Sequence, residues 1–275
     1  METITQVQSE AAVSVREPEE RRRDTSTVER LPSLPVRARS SLHNYPDSGP
    51  NRAEQAGGDY ANQSTFVHAD IPCEIVRYAG LKRGFDIFLA CVGIVFGAPF
   101  MIVTALLVKL TSRGPVIFKQ IRVGRGGKCF TCYKFRSMCA DAEERRHAIR
   151  HLNEQEGPVF KIKRDPRLTP IGALIRKFSL DELPQLVNVL KGDMSIVGPR
   201  PPISLEVEHY GVRERRRLAV QPGLTCLWQI SGRSEISFEK WIDLDIEYIE
   251  TMTFAGDLRI LLKTIPAVIT GKGAH

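Results

Sequence analysis

The chain contains the stretch Ile87-Phe-Leu-Ala-Cys-Val-Gly-Ile-Val-Phe-Gly-Ala-Pro-Phe-Met-Ile-Val-Thr-Ala-Leu-Leu-Val108, which is 22 residues long and has no charged side chain. About 20 apolar residues in a helix are enough to cross the hydrocarbon core of a bilayer. The alternative is a buried core helix, but such a helix rarely runs this far without a polar face. The stretch therefore predicts a helix inserted in a membrane, and the rest of the fold must be arranged around it.

The two flanks and the middle of this stretch carry information about its topology. Pro99 lies near the centre and predicts a break, because proline lacks the backbone donor and clashes with the preceding turn. Lys82 and Arg83 precede the stretch and Lys109 and Arg113 follow it, so neither flank is favoured by the positive-inside rule. These features favour a re-entrant helix that enters and leaves the same leaflet, with the remainder of the chain in the cytoplasm. A kinked spanning helix, with the N-terminal tail outside, remains the alternative.

Composition narrows the classes of partner. The 275 residues carry a net charge of +7, which favours anionic lipid, nucleic acid or a phosphorylated substrate. No nucleic-acid motif accompanies the charge, so nucleic acid is not expected as a partner. Six cysteines without a secretory signal indicate a reducing, cytoplasmic setting. Cys129 and Cys132 form a Cys-x-x-Cys pair. A zinc site would need a second pair at matching spacing, and the sequence has none, so a zinc site is not expected.

The remaining patterns predict three regions and an α+β fold that is mostly α. Residues 1–68 are rich in charged and small polar residues and are predicted to be a disordered tail. Residues 75–112 are predicted to form the membrane-embedded, Pro-broken helix, and 113–275 a helical cytoplasmic domain. Within that domain, two β-prone runs around the glycine-rich turn 124–127 predict a small β-hairpin. Helical patterns cover the segments 140–152, 168–177, 182–190, 238–252 and 258–269.

Asp181 and Glu182 are adjacent acids with Arg176 five residues before the pair. Pro184 is tolerated only among the first positions of a helix, so the next helix is predicted to begin near Asp181, with Asp181 or Leu180 at its cap. Two carboxylates among unpaired backbone amides suit chemistry on phosphate, as a nucleophile and a magnesium ligand. The alternative is an ordinary solvated helix start, where Asp and Glu are common.

Several long motifs follow one another along the chain. They are Lys82-Arg-Gly-Phe-Asp86, Tyr133-Lys-Phe-Arg-Ser-Met138, Phe160-Lys161 with Asp165-Pro-Arg167, Ser179-Leu-Asp-Glu-Leu-Pro-Gln185, Asn188-Val-Leu190 with Gly192-Asp-Met-Ser-Ile-Val-Gly-Pro-Arg-Pro201, and Gln221-Pro-Gly-Leu-Thr225 with Trp228-Gln-Ile-Ser-Gly-Arg233. With these motifs in this order, the chain resembles the bacterial sugar transferase family, the small-domain polyprenyl-phosphate phosphoglycosyl transferases. The resemblance runs from Lys82 to the C-terminus, about 190 of the 275 residues, and is nearest to hexose enzymes that prime exopolysaccharide synthesis.

The resemblance implies a reaction and its partners. A UDP-hexose donor would give hexose-1-phosphate to undecaprenyl phosphate, and UMP would be released. The family uses Mg²⁺ and a covalent phosphosugar–aspartate intermediate, and it is held in one leaflet of the bacterial inner membrane, on the cytoplasmic face, by a broken helix. The sugar, glucose or galactose, and the existence of a homodimer are left open. A non-catalytic membrane scaffold of polysaccharide assembly is the competing hypothesis.

The same resemblance implies roles for single residues. Asp181 would be the nucleophile, and Glu182 would either hold the magnesium with Asp181 or assist the incoming polyprenyl phosphate. Arg200 matches the family's phosphate-binding arginine. Further expected phosphate ligands are Arg176, Lys134 and Arg136; the last two alternate on one strand face and are expected to point into the site. The alternative for these three is an ordinary surface charge.

Overall fold

A computed structural model describes residues 73–155, 157–232 and 236–271, with side chains from Tyr78 onward. The tail predicted over 1–68 lies outside these ranges, as do Arg233 of the last motif and the final four residues of the predicted cytoplasmic domain.

The apolar stretch lies in one helix, α1, which comprises Cys73–Thr111 and is 39 residues long. In the described part of the chain it is the one helix that is long and apolar enough to cross a membrane, and the candidate span within it, Tyr78–Thr111, has a mean hydropathy of 2.4. The helix runs through Pro99 without an interruption, so the predicted break is wrong as an end of the helix. The fixed φ of proline is compatible with a helix, and the ring removes one hydrogen bond without unwinding the turns on either side.

The N-terminal part of α1 is tied to the rest of the domain through charged side chains. Lys82 forms a buried ion pair with Asp257. The guanidinium of Arg83 donates to the carbonyl oxygens of Val189 and Leu190, at 2.6 and 2.8 Å. Both basic residues of the first flank therefore contact protein, so they contribute less to the positive charge at a membrane boundary than the sequence indicates.

The predicted hairpin is confirmed. Strand β1, Ile117–Val123, pairs antiparallel with β2, Cys129–Phe135, around a tight turn in which Gly126 has a φ of 65°. The register pairs Gln120 with Cys132 and Phe118 with Lys134, so these side chains and Arg122 share one face. This face of the hairpin is the one that forms a wall of the site described below.

Short helices follow the hairpin: α2, Ala142–Arg145; α3, Pro170–Lys177; and α4, Gln185–Lys191. The helix predicted over 140–152 is thus only one turn of α-helix, followed by a 3-10 turn at Arg150–Leu152. α4 ends at Lys191, and Gly192 at its C-cap takes a left-handed conformation with a φ of 89°.

The last third of the chain closes the core. Strand β3, Ser195–Val197, pairs parallel with β4, Gly223–Thr225, and between them lie α5, Ser204–Val207, and α6, Val212–Arg215. Helices α7, Phe238–Glu250, and α8, Phe254–Thr270, confirm the two last helical predictions, although α8 starts four residues earlier and continues through Pro266. The main core cluster joins buried side chains of α1, α4, β3, α7 and α8, among them Ala90, Val189, Ile196, Ile249 and Ile260. The predicted α+β class, mostly α, agrees with this architecture.

Candidate active site

The acidic pair lies in a 3-10 turn, Leu180–Glu182, and not at the start of α4 as predicted. Ser179 takes a left-handed conformation with a φ of 55°, the one non-glycine residue with positive φ in the described ranges. This conformation reverses the chain after α3, and the turn closes through a bond from the Glu182 amide to the Ser179 carbonyl at 3.2 Å. Strain of this kind is often retained at functional sites.

Asp181 is buried, with 7% of its surface exposed. Burial raises the pKa of its carboxyl group, and the negative charge of Glu182 raises it further; the positive charges of Lys134 and Arg176 oppose this in part. The carboxylate of Asp181 is therefore more basic, and a better nucleophile, than one in water.

Glu182 has the opposite character. Its Oε1 atom accepts a hydrogen bond from Nζ of Lys134 at 2.6 Å, and about four fifths of each side chain is buried. Burial alone would raise the pKa of Glu182, but the charges of Lys134 and Arg200 outweigh that effect and hold it below its usual range. The two carboxyl groups thus have pKa values moved apart, a pattern that separates roles within an active site. Lys134 is placed at the site as predicted.

Arg176, in the last turn of α3, lies on the other side of the pair. Its Nε atom donates to Oγ of Ser137 at 2.9 Å. Burial lowers the pKa of Arg176, and the negative charge of Asp181 is the largest influence that raises it. Arg176 is therefore a partly buried cation beside Asp181 and not a solvated surface charge.

A cavity opens beside Glu182 and contains the expected arginine. Its lining includes Arg200. Three cations, Arg122, Lys134 and Arg200, line the cavity against one carboxylate, that of Glu182, so the cavity is positively charged. The residues that line it are Arg122, Cys132, Lys134, Glu182, Gln185, Arg200, Pro201, Gly223, Leu224 and Gln229. The cavity holds only about 10 Å³ of free space, so its positive charge, and not its size, is the feature that suits phosphate oxygens.

Arg136 does not join this constellation, which corrects the prediction that it faces the site. Its guanidinium donates to the carbonyl and Oγ oxygens of Ser112, both at 2.8 Å, and to the carbonyl of Pro115. β2 ends at Phe135, so the alternation that places Lys134 on the cavity face no longer applies at Arg136. It also donates to the carbonyl oxygen of Val108, in the last turn of α1, at 3.4 Å, so the arginine holds the C-terminal end of that helix and the residues that follow it.

Two further arginines at the site were missed by the sequence analysis. Nη1 of Arg122 donates to the carbonyl oxygen of Pro201 at 2.8 Å, and Nη2 of Arg217 donates to that of Arg200 at 3.1 Å. Arg217 is itself fixed by a buried ion pair with Asp245, at 2.8 Å. The backbone that carries Arg200 is thus held from both sides. The alternation of side chains in the hairpin could have predicted Arg122, because it lies on the same face as Lys134. No sequence pattern indicated Arg217.

The fit of the site to magnesium rests on its oxygen donors. Within the described ranges, no group of three or more His, Cys, Asp or Glu side chains is arranged to hold a metal ion. Mg²⁺, however, is often bound by one or two carboxylates together with substrate phosphates and water. Asp181 and Glu182 supply two carboxylates on one turn beside a cavity for an anion, so the residues fit a magnesium ion that is shared with a phosphorylated substrate.

Comparison with known proteins gives a family. The family model described as Bacterial sugar transferase matches residues 77–271. The chain is 47% identical over 196 residues to the galactosyl transferase CpsE of Streptococcus agalactiae, which covers 70% of this chain and 43% of the relative. It is 39% identical over 198 residues to the exopolysaccharide production protein ExoY of Rhizobium meliloti, which covers 70% of this chain and 88% of the relative.

A third relative is the undecaprenyl-phosphate galactose phosphotransferase of Salmonella typhimurium, 44% identical over 204 residues, with 71% of this chain and 42% of the relative covered. The chain thus spans less than half the length of the first and third of these relatives. The match of the family model includes α1, the acidic pair and the segment that carries Arg200. The chain belongs to the bacterial sugar transferase family.

Proposed function

We propose that this chain transfers hexose-1-phosphate from a UDP-hexose to undecaprenyl phosphate, giving undecaprenyl-diphosphate hexose and UMP, as the priming step of exopolysaccharide synthesis. The observation that carries the proposal is the buried pair Asp181 and Glu182, with its pKa values moved apart, next to a cationic cavity. The names of two relatives support the donor and acceptor classes, since one is a UDP-galactose-lipid carrier transferase and another an undecaprenyl-phosphate galactose phosphotransferase.

The chemistry has two steps with one covalent intermediate. A carboxylate oxygen of Asp181 forms a bond to the phosphorus that carries the sugar, and the bond from that phosphorus to the bridging oxygen breaks. UMP leaves with the electron pair. A phosphate oxygen of undecaprenyl phosphate then attacks the same phosphorus, and the carboxylate of Asp181 is released. Covalent catalysis divides one difficult displacement into two easier ones.

The surrounding cations bind and orient the phosphates. Lys134 and Arg176 act on Asp181, and Arg200 acts at the cavity beside Glu182. A guanidinium group grips phosphate with two parallel hydrogen bonds. Asp181 and Glu182 would hold the Mg²⁺ together with the substrate, and when bound the ion neutralises negative charge on the diphosphate.

The membrane attachment that we propose is monotopic, with the site on the cytoplasmic face of the inner membrane. Near its start α1 is bound to the domain through Lys82 and Arg83, and at its end through Arg136. Contacts of both ends of the helix with the same domain support a topology in which both ends lie on one side of the bilayer. Its apolar side chains that face away from the domain are exposed: Phe88, Val95, Phe96, Phe100, Ile102, Val103, Leu106 and Leu110.

This topology predicts a labelling result. A cysteine placed within the first 60 residues should resist a membrane-impermeant thiol reagent applied from the periplasmic side, and so should one placed in the domain. The same cysteines should react once the membrane is permeabilised, which controls for accessibility. Labelling of the N-terminal cysteine in intact cells would instead support a spanning helix.

The pH dependence follows from Asp181. Its raised pKa means that protonation removes the nucleophile at a higher pH than the value of about 3.9 of an ordinary aspartate. The rate of UMP release in the first step should therefore fall as the pH drops through this raised pKa. Glu182→Gln removes the neighbouring negative charge, so its residual activity should show the acid limb at lower pH. An acid limb that stays in place or moves up would contradict the assignment.

The experiment that tests the function is a donor panel. Membranes containing the chain are incubated with undecaprenyl phosphate and, in turn, radiolabelled UDP-glucose, UDP-galactose and UDP-N-acetylhexosamines. We expect lipid-linked label with one of the UDP-hexoses, and the donor that gives it identifies the sugar that is transferred. If no donor yields lipid-linked label, the scaffold hypothesis is favoured and the transferase is rejected.

A further inference from the structure

Arg122 is a buried cation at the cavity to which the reaction above gives no role. It lies on β1, is 7% exposed and lines the cavity with Arg200 and Lys134. Its Nε and Nη2 atoms donate to Oε1 of Gln120 at 2.9 and 2.6 Å, and its Nη1 atom donates to the carbonyl of Pro201. These bonds use three of its five N–H donors, so two remain for a ligand.

No carboxylate of the described residues forms a salt bridge with Arg122, although Glu206 and Glu182 lie close enough for their charges to act on it. Among the residues that the structure describes, no salt bridge includes Arg122, and its hydrogen-bond acceptors are a neutral amide and a carbonyl. A guanidinium group stays protonated in proteins, even when buried. Burial and the charge of Arg200 lower the pKa of Arg122, and Glu206 and Glu182 offset this only in part. Two arginines that line one cavity with a single carboxylate point to an anion that arrives from outside.

The lining of the cavity indicates which part of the donor Arg122 would meet. Arg122 and Arg200 line the cavity together with Glu182, whereas Asp181 is not part of the lining. The phosphate under attack must lie at Asp181, so the neighbouring phosphate of the same diphosphate falls on the side of Glu182, where the two arginines are.

We propose that Arg122 is a second phosphate ligand, which acts with Arg200 to bind the donor phosphate that leaves with the nucleotide. This inference rests on the proposed transferase function, and it assigns to one residue the recognition of the leaving group. The competing role is structural, because Arg122 also holds the carbonyl of Pro201 and with it the segment that carries Arg200.

Gln120 allows the two roles to be separated. Gln120→Glu keeps an oxygen that accepts both bonds from Arg122, so the support of Pro201 is preserved. The new carboxylate pairs with Nε and Nη2 of Arg122 and neutralises its charge, so the attraction of Arg122 for a phosphate in the cavity falls. Arg122→Gln removes both the charge and the support, and Arg122→Lys keeps the charge alone.

The test is the affinity of the purified full chain in nanodiscs for UMP, measured by calorimetry, because UMP contains the leaving phosphate and no other. We expect Arg122→Gln and Gln120→Glu each to weaken UMP binding by at least about ten-fold, the size of one lost charge-assisted hydrogen bond. Arg122→Lys should lose less. Arg125→Gln, which removes an exposed arginine from the turn of the same hairpin, should bind as the wild type does. Thermal unfolding checks that each variant is folded.

The outcomes are distinct. Weakened binding in Arg122→Gln but wild-type binding in Gln120→Glu would assign Arg122 a structural role and overturn the proposal. Wild-type affinity in both variants would overturn it as well, even if the transfer activity of the wild type is intact. Absence of transfer with every donor would reject the transferase function itself, and that result comes from a separate assay.

Discussion

Asp181→Asn is expected to abolish the transfer of sugar phosphate to the lipid, with a loss of at least about 1,000-fold, as is typical when a covalent nucleophile is removed. The amide has the shape of the carboxylate but its oxygen does not displace UMP. The fold should be retained and its melting temperature unchanged or higher, because the raised pKa shows that the protein disfavours a charge at this position. Loss of activity with no loss of stability is the expected signature of a residue whose burial serves chemistry.

The measurement is the capture of the intermediate with a donor labelled in the phosphate next to the sugar. Wild-type protein should retain label after denaturation when undecaprenyl phosphate is omitted, and Asp181→Asn should not. Asp243→Asn is a matched control, since this aspartate is partly exposed on α7 and pairs with Arg213 at the surface. Equal lipid-linked product from the wild type and Asp181→Asn would sink the assignment of the nucleophile.

Periodicity was sufficient for the parts of this fold whose contacts are local. The hairpin of β1 and β2 follows from alternating side chains around a glycine turn, and α7 and α8 follow from apolar residues at helical spacing. The length of the apolar stretch likewise predicts α1. Its continuity through Pro99 was not predictable, because whether a proline ends a helix or is accommodated depends on tertiary contacts at both ends of that helix.

The site was predicted less completely, and the misses have one physical cause. A sequence motif specifies the residue type at a position, but it does not specify which groups the side chain contacts in the fold. Arg136 lies two residues after Lys134, yet it binds the carbonyl end of α1, which is 24 residues away in the sequence at Ser112. The start of α4 was misplaced because the left-handed Ser179 diverts the chain into a 3-10 turn, a conformation that serine rarely adopts and that composition does not indicate.

Arg217 is the opposite case, a residue that supports the site although no motif indicated it. It is almost fully buried and reaches the carbonyl of Arg200 while pairing with Asp245, so it supports the site from within the core. In the sequence it is one of three consecutive arginines, Arg215 to Arg217, and arginines are mostly exposed to solvent, so nothing marks this one as buried. A buried ion pair of this kind is weak evidence for stability, and here its geometry indicates a positioning role for the segment of Arg200.

Arg200→Lys is expected to lower kcat/KM for the donor by about 10- to 100-fold, which corresponds to the loss of a charge-assisted hydrogen bond to phosphate. Lysine retains the positive charge, so the pKa of Glu182 should stay below its usual range. The backbone of Arg200 also remains held by Arg217. What lysine lacks is the planar fork that binds two oxygens of one phosphate, so the variant isolates geometry from charge.

Steady-state kinetics on the panel-selected donor measures this effect, and Arg213→Lys, an exposed arginine on α6, should leave the kinetics unchanged. The loss in Arg200→Lys should be larger than the loss in Lys134→Arg, because a fork can replace a point charge more readily than the reverse when the partner is a phosphate. Full activity in Arg200→Lys would remove Arg200 from the binding site. Arg122 and Lys134 would then be the cations of the cavity that bind the donor. In that case the Arg122 variants should still show weakened UMP binding.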